Sequence, residues 1–469
     1  MIPVVAIVGR PNVGKSTVFN ALAKRREALV LDIPGVTRDR IYQKVSLNTR
    51  DVILVDTGGI GEDESGIQAE TAKQSQLAIQ EADVLVLIVD ATVGATHRDE
   101  LLAKKLRASK KPVLLMVNKI DAADANTALS DFYRLGLGEP LPLSAAHYRG
   151  FEDFKNAIES HLPAEPEMDP EQLAAQAKQM GIKIAIVGRP NVGKSTLVNR
   201  ILGEERVVVF DKPGTTTDSI YIPFERNGKP FTIIDTAGVR RRAKVDEALE
   251  KFSVIKTLKA IDDSHVVIFV IDAVEGVTEQ DLTVLGYVLD AGRSLIVAAN
   301  KWDGLDKSHK AAVEKALAWR LNFVKFAKVH YISALHGSGV GGLLNSCKRC
   351  YISAGKKVST SHMTELLEMA VEKAQPPLVG GRRIKLRYAH LGGHYPPIVV
   401  IHGNQTDSVP GHYTRYLENF FRESLKLIGT PIRIEYKTSD NPYAGKVNTL
   451  TPRQQYKRDR MMRHVKKKK

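Results

Sequence analysis

Two identical octapeptides, Gly9-Arg10-Pro11-Asn12-Val13-Gly14-Lys15-Ser16 and Gly188-Arg189-Pro190-Asn191-Val192-Gly193-Lys194-Ser195, lie 179 residues apart in a chain of 469. Each fits G-x-x-x-x-G-K-[S/T], the loop that wraps the phosphates of a nucleoside triphosphate with backbone N–H groups. Lys15 and Lys194 can reach the β- and γ-phosphates, and the hydroxyls of Ser16 and Ser195 suit Mg2+. One such loop is a nucleotide site; two in series imply two complete nucleotide-binding domains. By itself the loop also fits ATPases and kinases.

Three further patterns narrow the chemistry. Asp56-Thr57-Gly58-Gly59 and Asp235-Thr236-Ala237-Gly238 each close an apolar run, and both begin 47 residues after their loop. Their aspartates suit an outer-shell Mg2+ ligand, and the N–H of the last glycine suits a γ-phosphate. Asn118-Lys119-Ile120-Asp121 and Asn300-Lys301-Trp302-Asp303 follow later in each repeat. An aspartate there can accept from the guanine N1 and N2 donors. Adenine lacks that pair and would leave the carboxylate unmatched, so guanine is favoured. Ser144-Ala145 and Ser333-Ala334 stand where a loop could offer backbone N–H groups to the guanine O6.

Thr37 and Thr216, each 28 residues after its loop begins, follow Pro-Gly pairs. They are the candidate switch residues, closing on Mg2+ and the γ-phosphate in the triphosphate state. With Lys15 and Lys194 they form the expected catalytic set. Ile60 and Val239 occupy the position after each Asp-x-x-Gly; neither side chain can orient a water. Hydrolysis is therefore expected to be slow and to depend on a cation, the backbone or a partner.

These residues need strands that end in loops. The β-branched run 4–8, the Gly-rich loop and a helical stretch 16–24 give strand, loop and helix in order. Further buried-strand patterns cover 52–55, 84–89 and 112–117, with helical patterns at 68–82 and 99–108. The second repeat shows strand patterns at 183–187, 231–234, 266–271 and 294–299. Strands alternating with helices predict a parallel sheet with helices on both faces. The expected fold is α/β: a first nucleotide domain over 1–163, a Pro-rich acidic linker over 164–181, and a second nucleotide domain over 182–355. A small α+β domain of order α-β-β-α-β follows over 356–450, and 451–469 forms a basic tail expected to be disordered.

A hydrophobic fraction of 43% and a charged fraction of 26% describe a globular protein. The apolar runs fall short of the roughly 20 residues of a membrane span. The chain runs from Met1 almost directly into the first loop, so no signal peptide is expected, and the setting is expected to be cytoplasmic. The lone Cys347-x-x-Cys350 reads as two incidental reduced thiols rather than zinc or redox chemistry. The net charge of +15 is one-sided: residues 346–469 hold 24 Lys and Arg against nine Asp and Glu, and the rest is balanced. Such an end implies a polyanionic partner, RNA first, against the alternative of a tail that only aids solubility.

Together these motifs resemble the translation-factor-related GTPases. The tandem arrangement with a small basic C-terminal domain looks like the Der (EngA) family of bacterial ribosome assembly over about residues 2–450. The C-terminal part, with Arg382-Arg-Ile-Lys-Leu-Arg-Tyr388 and Tyr416-Leu-Glu-Asn419, is similar to that family's KH-like domain. The resemblance implies two P-loop GTPase domains using GTP, GDP and Mg2+, and a K+ ion held by Asn12 and Asn191 beside the phosphates. It also implies a role in late assembly or stability of the large ribosomal subunit, with nucleotide state setting domain arrangement and rRNA binding in a monomer. Two departures stand out. Thr217 replaces the arginine found as Arg38 in the first repeat, and the C-terminal domain lacks the G-x-x-G loop by which KH modules clamp nucleic acid. The alternatives are an RNA-binding scaffold in which one domain hydrolyses poorly and a tRNA-modifying GTPase, for whose added catalytic domain no sequence is left over.

Overall fold

The strand β1 (Val4–Val8) is buried at every position. Val4, Ala6 and Val8 enter one apolar cluster, and Val5 and Ile7 enter another on the opposite face. A strand buried on both faces cannot alternate apolar with polar residues, which explains the unbroken β-branched run. The computed structural model describes residues 2–24, 42–57, 78–122, 125–164, 169–203, 207–209, 220–235, 254–379 and 382–438.

Around β1 stand α1 (Lys15–Lys24), β2 (Tyr42–Ser46), β3 (Asp51–Asp56), β4 (Val84–Asp90), α2 (His97–Ala108), β5 (Val113–Asn118), α3 (Ala125–Ser130), β6 (Leu141–Pro142) and α4 (Phe151–His161). Their sheet has the order β2-β3-β1-β4-β5-β6. Helix α5 (Pro170–Met180), capped by Asp169 with Pro170 in its first turn, lies in the connection. The second unit contains β7 (Ile182–Val187), α6 (Lys194–Leu202), β8 (Val207–Val209), β9 (Ile220–Arg226), β10 (Lys229–Asp235), α7 (Val254–Asp263), β11 (Val266–Asp272), α8 (Glu279–Asp290), β12 (Ser294–Asn300), α9 (Lys307–Arg320), β13 (Lys328–Tyr331) and α10 (Gly341–Ala354). Its sheet, β13-β12-β11-β7-β10-β9-β8, has the same order read from the other edge, with β8 added beyond β9.

Both sheets have the expected parallel centre, with antiparallel strands added at one edge. β2 pairs antiparallel with β3, β9 with β10, and β8 with β9. The cause is local. β9 and β10 are joined by Asn227-Gly228, both at positive φ, the two-residue turn that matches hairpin twist. No crossover helix intervenes, so the strand must run back.

The third unit comprises α11 (Thr360–Lys373), β14 (Leu378–Val379), β15 (Arg382–Arg383), β16 (Lys385–Gly393), β17 (Ile398–Asn404), α12 (Gly411–Ser424) and β18 (Arg433–Thr438). Helices α11 and α12 cover one face of the sheet β16-β17-β18 through Met363, Leu367, Leu417 and Phe421. The unit meets the second sheet at the start of β12, the end away from its phosphate loop. Leu295 N donates to Gly429 O (2.7 Å), Gly429 N to Phe326 O (3.2 Å) and Arg293 Nη1 to Tyr395 O (2.7 Å). Ser294 and Thr430 hydroxyls meet in the buried joint at 3.0 Å. The first unit also rests on the second: Ile255 of α7 is buried in the first unit's cluster, with Lys44 paired to Asp262 (2.8 Å) and Lys259 to Asp83 (3.6 Å).

Cys347 and Cys350 are free and buried in α10. Burial pushes the Cys347 thiol well above its ordinary value and the Cys350 thiol to about 11, which leaves both inert as thiolates. Among the described residues no cluster of His, Cys, Asp or Glu could hold a metal, and no helix is long and apolar enough to cross a membrane. The basic tail 451–469 lies outside the described residues.

Gly429 sits at φ +60, and a Cβ there would collide with the Cys350 sulfur and come 3.1 Å from Leu295 O. Gly429→Val is therefore expected to weaken docking of the third unit by about 1–3 kcal/mol. A lower melting midpoint and faster limited proteolysis between the second and third units would show it; an unchanged melt would mean that this backbone pairing contributes little.

Candidate functional site

Each phosphate loop is held in shape by its own backbone geometry. Asn12 and Asn191 adopt left-handed φ of 67 and 63, and Gly14 and Gly193 both lie at 95. A Cβ on Gly14 would strike the Asn118 amide, and one on Gly193 the Asn300 amide, so glycine is required at both positions. The helices α1 and α6 then begin at Lys15 and Lys194, presenting N-terminal N–H groups to the loop's concave side. Lys15 Nζ donates to Arg10 O (2.8 Å) and Lys194 Nζ to Arg189 O (2.5 Å), each folded across its own loop. Burial pulls the Lys15 ammonium below the ordinary lysine range, and the Asp56 charge opposes that shift. A desolvated cation of this kind gains most when a phosphate arrives.

Ser16 Oγ donates to Asp56 Oδ2 at 2.8 Å. Two hard oxygen donors converging at the end of β3 fit a Mg2+ ion, which could be held by these two residues and phosphate oxygens. Thr57 turns inward, its hydroxyl donating to Ile7 O (2.8 Å). In the second unit Asp235 ends β10, and Ser195 is the second residue of α6. Thr37, Arg38, Gly58, Gly59, Ile60, Thr216, Thr217, Thr236, Ala237, Gly238 and Val239 lie outside the described residues.

The guanine-side motifs tie three loops together. Asn118 Nδ2 donates to Val13 O (2.9 Å), and its Oδ1 accepts from Ala145 N (3.0 Å). Asn300 repeats this with Val192 O (2.8 Å) and Ala334 N (2.8 Å). The loop of Ser144 and Ser333 is thereby brought beside the aspartates. Asp121 and Asp303 lie on short helical turns, Ile120–Ala122 and Trp302–Gly304, with partly exposed carboxylates. The Ser144 hydroxyl and the His147 ring, 3.4 Å away, hold the Asp121 carboxyl below its ordinary range. Ser333 and His336 do the same for Asp303. Both groups are therefore anionic acceptors at neutral pH, as two guanine N–H donors require. Lys119 Nζ bridges Asn12 O (3.0 Å) and Asp90 Oδ2 (2.7 Å), and Lys301 Nζ meets Asp272 Oδ2 at 2.5 Å.

A second set of residues escaped the motif reading. Arg10 Nε lies 3.3 Å from Asp99 Oδ2, and Arg189 Nε donates to Asp281 Oδ2 at 2.9 Å while its Nη2 meets Glu275 at 2.9 Å. Asp99 and Asp281 are fully buried. Each also closes the capping box of its helix, accepting from the N–H and hydroxyl of Thr96 or Thr278. The signal was present as a second internal repeat: Asp90-Ala-x-x-Gly-x-Thr-x-x-Asp99 matches Asp272-Ala-x-x-Gly-x-Thr-x-x-Asp281. Its first aspartate holds the lysine of the guanine motif, and its last holds the arginine of the phosphate loop.

Comparison with known proteins agrees with this architecture. A family profile described as "50S ribosome-binding GTPase" matches residues 4–119 and 183–301, and one described as "KH-domain-like of EngA bacterial GTPase enzymes, C-terminal" matches 357–437. Two P-loop GTPase domains with a KH-like domain at the C-terminus thus make this a tandem-domain GTPase, an enzyme that binds and hydrolyses GTP with Mg2+. Proteins named GTPase Der from Thioalkalivibrio sulfidiphilus, 57% identical over 469 residues, and from Shigella boydii and Escherichia fergusonii, 54% identical over 490, are each matched along 100% of both chains. The chain belongs to the Der (EngA) family.

Asp281→Asn can still cap α8 but leaves the largely buried Arg189 with only the exposed Glu275 as an anionic partner. It is expected to destabilise the second unit by about 2 kcal/mol or more and to lower GDP affinity at that site about tenfold. Fluorescent-nucleotide titration and thermal melting would read both; affinity equal to wild type would mean that Asp281 only caps its helix.

Proposed function

We propose that both sites turn over GTP, and that the chain works as an assembly factor of the large ribosomal subunit whose nucleotide states set its domain arrangement. The observation that carries this is the pairing of two matching phosphate and guanine constellations with full-length likeness to relatives named GTPase Der. The family profile description and the one-sided charge of residues 346–469 supply the polyanionic partner.

In each site the backbone N–H groups of residues 9–16 or 188–195 wrap the β- and γ-phosphates. Lys15 and Lys194 leave their loop carbonyls to meet the phosphate oxygens. Ser16, Thr37 and Asp56, with Ser195, Thr216 and Asp235, are the residues that would hold Mg2+, which would supply positive charge against the phosphates. Thr57, Gly58, Gly59 and Ile60, with Thr236, Ala237, Gly238 and Val239, are assigned to the γ-phosphate. Asp121 and Asp303 accept from guanine N1–H and N2–H, flanked by Ser144, Ala145, Ser333 and Ala334. Asn12 and Asn191 stand in the left-handed turns of the two phosphate loops. There they are assigned to a K+ ion, which would supply the positive charge that an arginine provides elsewhere. The protein is read as a cytoplasmic monomer that binds rRNA through its basic end and leaves on hydrolysis.

Lys15→Ala and Lys194→Ala are each expected to remove turnover from one site and leave the other, measured as phosphate release in potassium and in sodium buffer. Sedimentation with large subunits is expected to be stronger with a non-hydrolysable GTP analogue than with GDP. Equal sedimentation would defeat the switch account.

Asp303→Asn exchanges an acceptor for a group that can also donate. It is expected to lower GDP affinity at the second site by at least about a hundredfold and to favour xanthosine diphosphate, whose 2-oxo group needs a donor. If the variant keeps its guanine preference in competition binding, another group reads the base.

A further inference from the structure

Among the described residues, helices cover only one side of the third unit's sheet. Ala389, Val399, Ile401 and Ile434 point into the core beneath α11 and α12. The alternation of the strands sends Tyr388, His390 and His402 to the other side. There the Tyr388 and His402 rings, directly across β16 and β17, stack with centroids 4.3 Å apart and planes 8° from parallel. His390 extends the stack, 5.3 Å from His402 at 27°. Tyr388 is 42% exposed. Tyr388 and His402 each cover one face of the other, so the stack offers a free π-face only at its ends, and Tyr388 is its exposed ring.

The rim of this stack is cationic. Arg387 is the extra residue of a bulge in β16, next to Tyr388, and it is exposed. Lys437 pairs across β18 with His402, and Lys385 stands further along β16. Glu435 is the acidic residue on the same strand face as Lys437. Burial, His390 and Lys437 together lower the pKa of His402, so its ring is neutral at pH 7 and free to stack.

We infer that this face is a base-stacking platform for single-stranded RNA, with unpaired bases extending the Tyr388, His402 and His390 stack at its ends and Arg387, Lys385 and Lys437 following the phosphates. The inference deepens the proposed role and rests on its RNA partner. Flat rings flanked by positive charge match a strand with bases splayed out, because every base offers a π-face and every linkage a negative charge. A duplex hides its base faces and would gain only the charge. This gives the domain a route to RNA that needs no G-x-x-G loop.

The test uses the full chain and fluorescein-labelled RNA oligonucleotides of about 12 nucleotides, unstructured or in a duplex, read by anisotropy. Tyr388→Ala with His402→Ala is expected to weaken unstructured RNA about tenfold or more and leave the duplex within about twofold. The salt slope should stay unchanged, whereas Lys437→Gln should flatten it by about one unit. Tyr388→Phe, which keeps the ring, is expected to bind as wild type and guards against a folding defect. Unchanged affinity in the double variant, or equal loss for duplex and single strand, would overturn the platform. Nucleotide-dependent sedimentation with large subunits separates the two readings: if it persists while the alanine variants bind RNA normally, the platform alone fails.

Discussion

A loop that turns its N–H groups toward an anion must point its carbonyl groups elsewhere, and each of these needs a donor. This requirement organises both nucleotide sites. In the first, Arg10 O takes Lys15, Asn12 O takes Lys119, Val13 O takes Asn118 and Gly14 O takes the N–H of Val18. In the second, Arg189 O takes Lys194, Val192 O takes Asn300 and Gly193 O takes the N–H of Leu197. The lysine of the phosphate loop and the asparagine and lysine of the guanine motif are therefore scaffold parts as well as binding groups. Because the same asparagine also holds the Ser-Ala loop, phosphate and base ends of each pocket are one connected structure.

The arginine of each loop extends that network into the layer behind. Its guanidinium is held by an aspartate that at the same time starts a helix, so helix position and loop position are set by one carboxylate. Such a buried, charged joint is expensive to assemble and costly to break on one side only. Its recurrence in both repeats, with the same capping threonine, marks it as part of the device rather than as a surface ion pair.

The units meet where the sites are not. The KH-like domain is joined by backbone hydrogen bonds to the starts of strands whose other ends carry nucleotide motifs. The first GTPase domain rests on α7, which follows the chain segment leaving the second Asp-x-x-Gly. The sheet of the KH-like domain meanwhile keeps an aromatic, basic face outward, at the far end of the molecule's charge gradient.

The exact repeats made the sites legible in the sequence, because phosphate and guanine chemistry tolerate few residue types at fixed spacing. β1, β4, β11 and β12 were legible for a related reason: a strand buried on both faces must be apolar throughout. The antiparallel edges were not, since direction is set by the link between strands, and the Asn227-Gly228 turn was passed over. Asp99 and Asp281 also went unread, as a T-x-x-D box signals only a helix start and says nothing of an arginine some 90 residues away. The chain's own letters determined that it holds two guanine-nucleotide sites and a basic end. Tertiary structure alone decided which carboxylate braces which loop, where the third domain docks and which rings share a face. Those depend on distances between segments remote in sequence, and only the packed core fixes them.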